Sequence, residues 1–352
     1  MSYNPKTDSL QNLSFILNKP LDLIFAEKPV PKLTDPHEVL VAINYTGICG
    51  SDVHYWLHGA IGDFVVKSPM VLGHESAGTI VEIGPAVTSL KVGDRVALEP
   101  GYPCRRCAQC MSGKYNLCPE MVFPATPPYD GTLTGFWKAP DDFCYKLPET
   151  MTIQEGALCE PLAVAVHIAR QVGIKPGDSV VVMGAGPIGL LCAGVAKAFG
   201  ASIVTSVDIV ESKLKFAKDF CATHTYLSQR VSARENAQNI LDLIGLPGGA
   251  DIVIEASGVE SSIQASVYVV RNGGTYLQGE VTAHGSFRYG AGDWKIAVDL
   301  VASKKVDVRR LISEIVEFKD AEKAFNKVKE GQVIKILIAG PNEKNIANSC
   351  KE

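Results

Sequence analysis

Four cysteines fall within fifteen residues, spaced Cys104-x2-Cys107-x2-Cys110-x7-Cys118. Four thiolates can close a tetrahedron around zinc, and such a centre would hold an otherwise irregular loop folded. An iron–sulfur cluster and uncoordinated thiols are the alternatives. The bacterial cluster spacing C-x2-C-x2-C-x3-C-P shares the first two gaps and the proline, here Pro119, but this chain has seven residues where that pattern has three. A second set of donors is scattered: Cys49 in Gly47-Ile48-Cys49-Gly50-Ser51-Asp52-Val53-His54, His74 and Glu75 in Gly73-His74-Glu75-Ser76-Ala77-Gly78, and Glu160 in Cys159-Glu160-Pro161-Leu162. Taken singly each is ordinary, since a lone cysteine is usually a small core residue.

A third chemistry lies at Gly184-Ala185-Gly186-Pro187-Ile188-Gly189, directly after the apolar run Ser179–Met183 and at the start of a helical pattern. In this G-x-G-x-x-G context Gly184 makes the tight turn and Gly186 lets backbone approach a pyrophosphate. Gly189 lets helix pack on strand, with phosphate at the helix N-terminus. Pro187 and Ile188 line the same turn. Asp208 ends the next strand 19 residues after Gly189, where a carboxylate accepts both ribose hydroxyls and repels a 2′-phosphate. The plain alternative is an aspartate that merely caps a turn. Ile209 and Val210 are not basic, and the nearby Lys213 does not by itself outweigh Asp208, so the cofactor expected is NAD rather than NADP. A hydride-transfer domain needs no one-electron centre, which also favours zinc at the cysteine lobe.

The elements that must position these groups change rhythm along the chain. Glu38–Ile43 and Gly78–Ile83 are short runs bounded by Gly, Pro and Asp, as in strands. Residues 99–140 are irregular and dense in Cys, Pro and Gly, a length of loop that needs something to hold it. Then strands at Ser179–Met183, Ser202–Asp208, Asp251–Ala256 and Gly274–Leu277 alternate with helices at Pro187–Phe199, Ser212–Phe220 and Ser261–Arg271, the pattern of βαβ units and a parallel sheet. Helices at Lys295–Ser303 and Asp320–Lys329 and a strand at Val333–Ile338 complete the reading. The fold class expected is α/β: a β-rich domain interrupted by a doubly wound, Rossmann nucleotide domain. Its boundaries are placed at residues 1–162, completed by 289–352, and 163–288.

Composition bounds the partners. With 352 residues, 46% hydrophobic and 20% charged, there is material for two cores and no sign of disorder. A formal charge of −4 and a pI near 6.0 give no basic footprint for nucleic acid or an anionic membrane. The polar N-terminus lacks a secretory h-region, and Gly184, Gly186, Pro187 and Lys197 interrupt the apolar stretch Ser179–Ala201. A soluble, cytoplasmic protein is expected.

Gly73-His74-Glu75-x2-Gly78-x5-Gly84-x2-Val87 resembles the zinc signature of the alcohol dehydrogenases, within the zinc-containing medium-chain dehydrogenase/reductase superfamily. The resemblance covers nearly the whole chain. Its sorbitol and xylitol dehydrogenase branch is marked by Gly47–Tyr55, Glu99-Pro100-Gly101, Tyr115–Cys118, Ala125–Pro128, Glu160–Leu162 and Gly285–Gly290. The resemblance implies a GroES-like catalytic domain in which Cys49, His74 and Glu160 ligate a catalytic zinc, with Glu75 adjoining it as an alternative or water-linked ligand. It implies a structural zinc on Cys104, Cys107, Cys110 and Cys118. Arg288 and Tyr55 would bind polyol hydroxyls, Phe123 would shape the pocket with Tyr289 nearby, and Lys213 and Phe287 join the cofactor contacts. Ser51 and His54 would pass a proton outward. A glutamate in place of the second cysteine of the alcohol dehydrogenases suits an oxygen-rich site. The activity implied is NAD-linked oxidation of xylitol at C2, with sorbitol and L-arabinitol as rival substrates and a homodimer or homotetramer as the assembly. The chain departs from the family between Gly279 and Glu280, where a stretch carrying the nicotinamide-facing loop and a dimer-pairing strand is missing. That departure touches cofactor affinity and assembly, leaves the zinc ligands intact, and keeps open a different class of function, a zinc- and NAD-binding protein without turnover.

Overall fold

The computed structural model describes residues 11–278, 286–331 and 333–343. The junction between Gly279 and Glu280 lies outside the described residues. The chain forms two compact units, residues 1–160 with 308–352, and residues 161–307.

The first unit is built mostly on antiparallel pairing, with Ile312–Val316 lying parallel to Lys335–Ala339. Its larger sheet runs Cys144–Lys146, Arg95–Leu98, Glu75–Ile83, Glu38–Gly47, Lys335–Ala339, Ile312–Val316, with Phe136–Pro140 also paired to Glu38–Gly47. Val39, Val41, Ile43, Ile80, Val96 and Leu98 pack one hydrophobic cluster on this sheet, as alternation along half-buried strands requires. A second cluster joins Phe15, Leu17, Trp56, Leu72, Phe325 and Ile336. Register is what matters for the site: Gly47 pairs with Glu75 on one side and with Leu337 on the other. A substituent at Gly47 would lie 2.3 Å from Glu75 Oε2, so the glycine is what admits that carboxylate between the strands. The helix Gly50–His58 starts immediately after Cys49 and stops at Gly59, whose φ of 72° favours glycine.

The second unit carries a five-stranded parallel sheet in the order His224–Leu227, Ile203–Asp208, Ser179–Met183, Ala250–Glu255, Val270–Gln278. Every residue of Ser179–Met183 is buried, the continuous apolar pattern of a parallel strand covered on both faces. The helix Pro187–Ala198 follows it and Glu211–Phe220 follows Ile203–Asp208. The doubly wound pattern read from the sequence is therefore present, and the apolar stretch Ser179–Ala201 is strand, turn and helix. Among the described residues no helix is long and apolar enough to cross a membrane.

Among the described residues from 159 to 307, three elements escaped the sequence reading: the helices Cys159–Val172 and Ala233–Ile244 and the short strand His224–Leu227. In the first unit the helix Gly50–His58 and several short strands, Arg95–Leu98 and Ile312–Val316 among them, escaped it too. The exposed stripe of Cys159–Val172 is narrow: only Val164, His167, Arg170 and Gln171 are less than fully buried, so its helical period is faint in the sequence. The helix expected over Ser261–Arg271 ends at Val269, because Val270 pairs with Ala250 in the sheet. The units also divide at different points from those expected, after Glu160 and after Asp307. The helix Asp293–Ala302 stays with the second unit because the buried Asp293 bonds His167 and Arg170 there.

Candidate functional site

Cys49, His74 and Glu75 bring one sulfur, one imidazole nitrogen and one carboxylate oxygen within 4.8 Å of one another. Cys49 stands at the N-cap of Gly50–His58, while His74 and Glu75 enter the strand that pairs with Gly47. Asp52 ties the two segments together. Its carboxylate is fully buried and accepts the Cys49 N–H at 3.2 Å and the Gly73 N–H at 2.9 Å, lying 3.7 Å from His74 Nδ1. That last separation is too long for a hydrogen bond, and His74 Nδ1 is buried with no hydrogen-bond partner. Burial disfavours a charged imidazole, but Asp52 and Cys49 more than offset it and hold the His74 pKa well above its ordinary value. A thiol, a carboxylate and an imidazole nitrogen converging in one place form a donor set that fits a divalent cation.

Glu75 is already engaged. Lys335 Nζ donates to its two oxygens at 2.7 and 2.6 Å and to the Ile48 carbonyl at 3.1 Å, and both side chains are buried. Burial would lower the lysine pKa; Glu75, with Cys49 and Glu160 adding to it, raises it instead. Glu160 is buried at the start of Cys159–Val172 but is not one of the three groups within 4.8 Å. Phe123 is buried with its ring 5.8 Å from that of His74. Tyr55 is buried on the inner side of Gly50–His58, whereas His54 is exposed, its ring tilted against that of His58 with centroids 4.6 Å apart. Ser51 is half-buried in the first turn. The sequence reading passed over Asp52 and Lys335. Their signals were a carboxylate three residues after Cys49, in capping position, and a single charge within the apolar run Val333–Ala339.

The sulfurs of Cys104, Cys107, Cys110 and Cys118 also lie within 4.8 Å of one another. Backbone amides are turned toward them: Cys107 N–H donates to Cys104 Sγ at 3.4 Å and Cys104 N–H to Cys118 Sγ at 3.3 Å. The Arg106 amide is the main influence bringing the Cys104 thiol down to about 7, whereas burial chiefly pushes Cys110 up to about 12. Amides aimed at sulfur favour thiolates, and the arrangement suits a tetrahedral cation. The lobe is anchored beneath by the buried Glu99, which accepts from Tyr115 at 2.5 Å and Tyr145 at 2.9 Å.

In the second unit the glycine loop separates two demands. Gly184 has φ of 101°, and a substituent at Gly189 would lie 1.9 Å from the Gly184 carbonyl, so the fold itself needs both. Gly186 has an ordinary φ of −76°, and a substituent there meets no atom of the described residues within 4 Å. Its lack of a side chain is unexplained by packing and leaves a cradle at the N-terminus of Pro187–Ala198, a helix with no side-chain cap. Pro187 and Ile188 are half-buried beside it. Asp208 accepts Ala185 N–H at 2.8 Å and Val210 N–H at 2.9 Å, which locks its carboxylate next to the loop. Lys213 is half-buried on Glu211–Phe220. Phe287 is exposed and lies under the Arg288 guanidinium at 4.6 Å; Tyr289 is buried edge-on to Trp294 at 5.4 Å.

Residues 35–149 match the family model described as alcohol dehydrogenase GroES-like domain, and residues 187–279 that described as zinc-binding dehydrogenase. Among curated relatives, a probable D-xylulose reductase A of Aspergillus clavatus is 58% identical over 347 residues, covering 94% of this chain and 97% of its own. The D-xylulose reductase A of Aspergillus niger is 56% identical with the same coverage. Among solved structures, an Escherichia coli oxidoreductase/dehydrogenase of unknown specificity superposes with a TM-score of 0.86 at 33% identity, covering 94% of this chain and 99% of that one. L-idonate 5-dehydrogenase of Escherichia coli does so with a TM-score of 0.84 at 28% identity, covering 94% and 98%. The converging donors, the cysteine lobe, the glycine loop and these likenesses together make the chain a member of the zinc-binding, GroES-like alcohol dehydrogenase family of medium-chain dehydrogenases.

Proposed function

We propose that this chain is an NAD-dependent zinc polyol dehydrogenase that interconverts xylitol and D-xylulose. The observation that carries the reading is the convergence of Cys49, His74 and Glu75 in a chain 58% identical to a probable D-xylulose reductase A. Cys49, His74 and Glu160 hold the catalytic zinc, with Glu75 adjoining it, and Cys104, Cys107, Cys110 and Cys118 hold a structural one. When bound, zinc would supply Lewis acidity toward a substrate hydroxyl and NAD the hydride acceptor.

The chain's own residues do the rest. Asp52 holds the Cys49 and Gly73 backbones, and so fixes where the thiol and the imidazole point. Gly186 and the N-terminus of Pro187–Ala198 accept the pyrophosphate, together with Pro187 and Ile188, and Asp208 accepts the ribose hydroxyls. Lys213 and Phe287 add contacts to the cofactor. Phe123, packed on His74, walls the pocket. Tyr55 and Arg288 bind polyol hydroxyls, with Tyr289 seating Arg288's loop. Ser51 and the exposed His54 relay the proton to water. The protein works in the cytoplasm, in pentose catabolism, as a homodimer or homotetramer.

Purified protein mixed with NAD and xylitol should form NADH, followed by its absorbance, and lose that activity to a chelator. Sorbitol, L-arabinitol and NADP run in parallel rank the substrates and the cofactor. A protein that binds zinc and NAD yet turns over no polyol would be the non-catalytic descendant instead.

A further inference from the structure

Asp293 is fully buried at the first position of the helix Asp293–Ala302 and is held from three sides. Its carboxylate accepts the Gly290 N–H at 2.6 Å, bonds His167 Nδ1 at 2.8 Å and receives Arg170 Nη1. His167 and Arg170 lie three residues apart on Cys159–Val172, so they share a face of that helix. Arg170 Nη1 also donates to the Ala291 carbonyl at 2.9 Å, and the Asp293 N–H closes back on the Gly290 carbonyl at 3.1 Å. A buried carboxylate stays ionised only with such compensation. Burial works against the charge here, yet His167, the Gly290 amide and Arg170 keep its pKa below the usual carboxylate value.

These bonds converge on one short segment. Tyr289 is wedged against Trp294, the Gly290 amide and the Ala291 carbonyl are tied to the clamp, and Gly292 turns with φ of 87° into the helix. The residue just before this anchored run is Arg288, whose φ of 58° puts a long side chain in the left-handed region. Such a backbone persists only where its surroundings over-determine it, and such strain gathers at ligand sites.

We infer that Asp293, with His167 and Arg170, is a positioning residue for polyol recognition, fixing the backbone at Arg288 and with it the direction of the guanidinium. The inference rests on the reading of Arg288 as a polyol contact. A side chain aimed by a locked backbone pays less ordering entropy on binding, so the clamp acts on affinity for the polyol and not on the cofactor.

A double-mutant cycle separates positioning from mere stability. Asp293→Asn should raise the KM for xylitol on the order of tenfold, with kcat and the KM for NAD little changed. In an Arg288→Ala background the same substitution should add less than about twofold, since its route of action is gone. Additive effects, or a parallel loss in kcat and NAD binding, would overturn the inference. Where Asp293→Asn fails to fold, His167→Gln removes one donor and is read in the same cycle. If the wild type itself turns over no polyol, the functional reading has failed, and the clamp is then judged by amide exchange. Faster exchange in a peptide spanning residues 286–292 of Asp293→Asn, at an unchanged melting temperature, supports the clamp, and unchanged exchange overturns it.

Discussion

The Lys335 ammonium lies 2.7 and 2.6 Å from the two carboxylate oxygens of Glu75, and only 5% and 2% of the two side chains are exposed. The two side chains come from the strands on either side of Gly47, which pairs with Glu75 on one side and with Leu337 on the other. Lys335→Met leaves a buried carboxylate without its cation, at an expected cost of about 3–5 kcal/mol. Replacing both partners, Lys335→Met with Glu75→Gln, should cost less than the single change, since no orphaned charge remains. Urea unfolding of the two variants checks this; a single variant within about 1 kcal/mol of wild type would sink it.

Gly186 and Gly189 should part company when each becomes alanine. Gly186→Ala puts a methyl where no atom of the described residues stands within 4 Å, so stability should change by no more than about 1 kcal/mol while NAD affinity falls by about tenfold or more. Gly189→Ala drives a methyl to 1.9 Å from the Gly184 carbonyl and should destabilise the unit itself. Thermal melts with and without NAD read both effects. A folded Gly186→Ala protein with undiminished NAD binding would remove the argument for the cradle.

The cysteine lobe predicts a separable metal. Cys107→Ser should lower zinc content by about one equivalent and expose residues 104–118 to proteases. The catalytic centre at Cys49 and His74 should keep its own metal. Metal analysis beside limited proteolysis decides it, and an unchanged zinc content would disprove the lobe's role.

Asp251 gives the second unit a pH signature. Its carboxylate accepts the Ser179 hydroxyl at 2.6 Å, the Ser179 amide at 2.8 Å and the Arg271 Nε at 2.7 Å. These bonds, Ser179 foremost, bring its pKa down to about 2. A depressed folded-state pKa contributes stability above the unfolded value, and that stability is lost as pH falls through the folded one. Asp251→Asn should therefore melt below wild type at pH 6, with the gap closing as pH drops toward about 2. A gap that stays constant with pH would show that Asp251 acts through packing alone.

Motifs whose meaning is local were legible in the sequence. The glycines of residues 184–189, the spacing of Cys104, Cys107, Cys110 and Cys118, the apolar run Ser179–Met183 and Asp208 at the end of its strand all draw their sense from neighbours a few residues away. Short-range sterics and turn geometry set these, and both are written in sequence spacing. Helix Cys159–Val172 was missed because its exposed stripe is narrow, with only Val164, His167, Arg170 and Gln171 marking the helical spacing among buried residues.

What only the tertiary structure decided is which distant groups meet. Lys335 reaches Glu75 across 260 residues of chain, and Asp293 reaches His167 across 126. Neither separation leaves any trace in spacing, because strand register and helix packing set them, and those answer to burial over the whole unit. Strand register likewise brings the Glu75 carboxylate within 4.8 Å of both Cys49 and His74, a meeting that spacing alone does not set. A sequence can name the donors, but a charge is worth placing in a core only where its partner arrives from elsewhere in the fold.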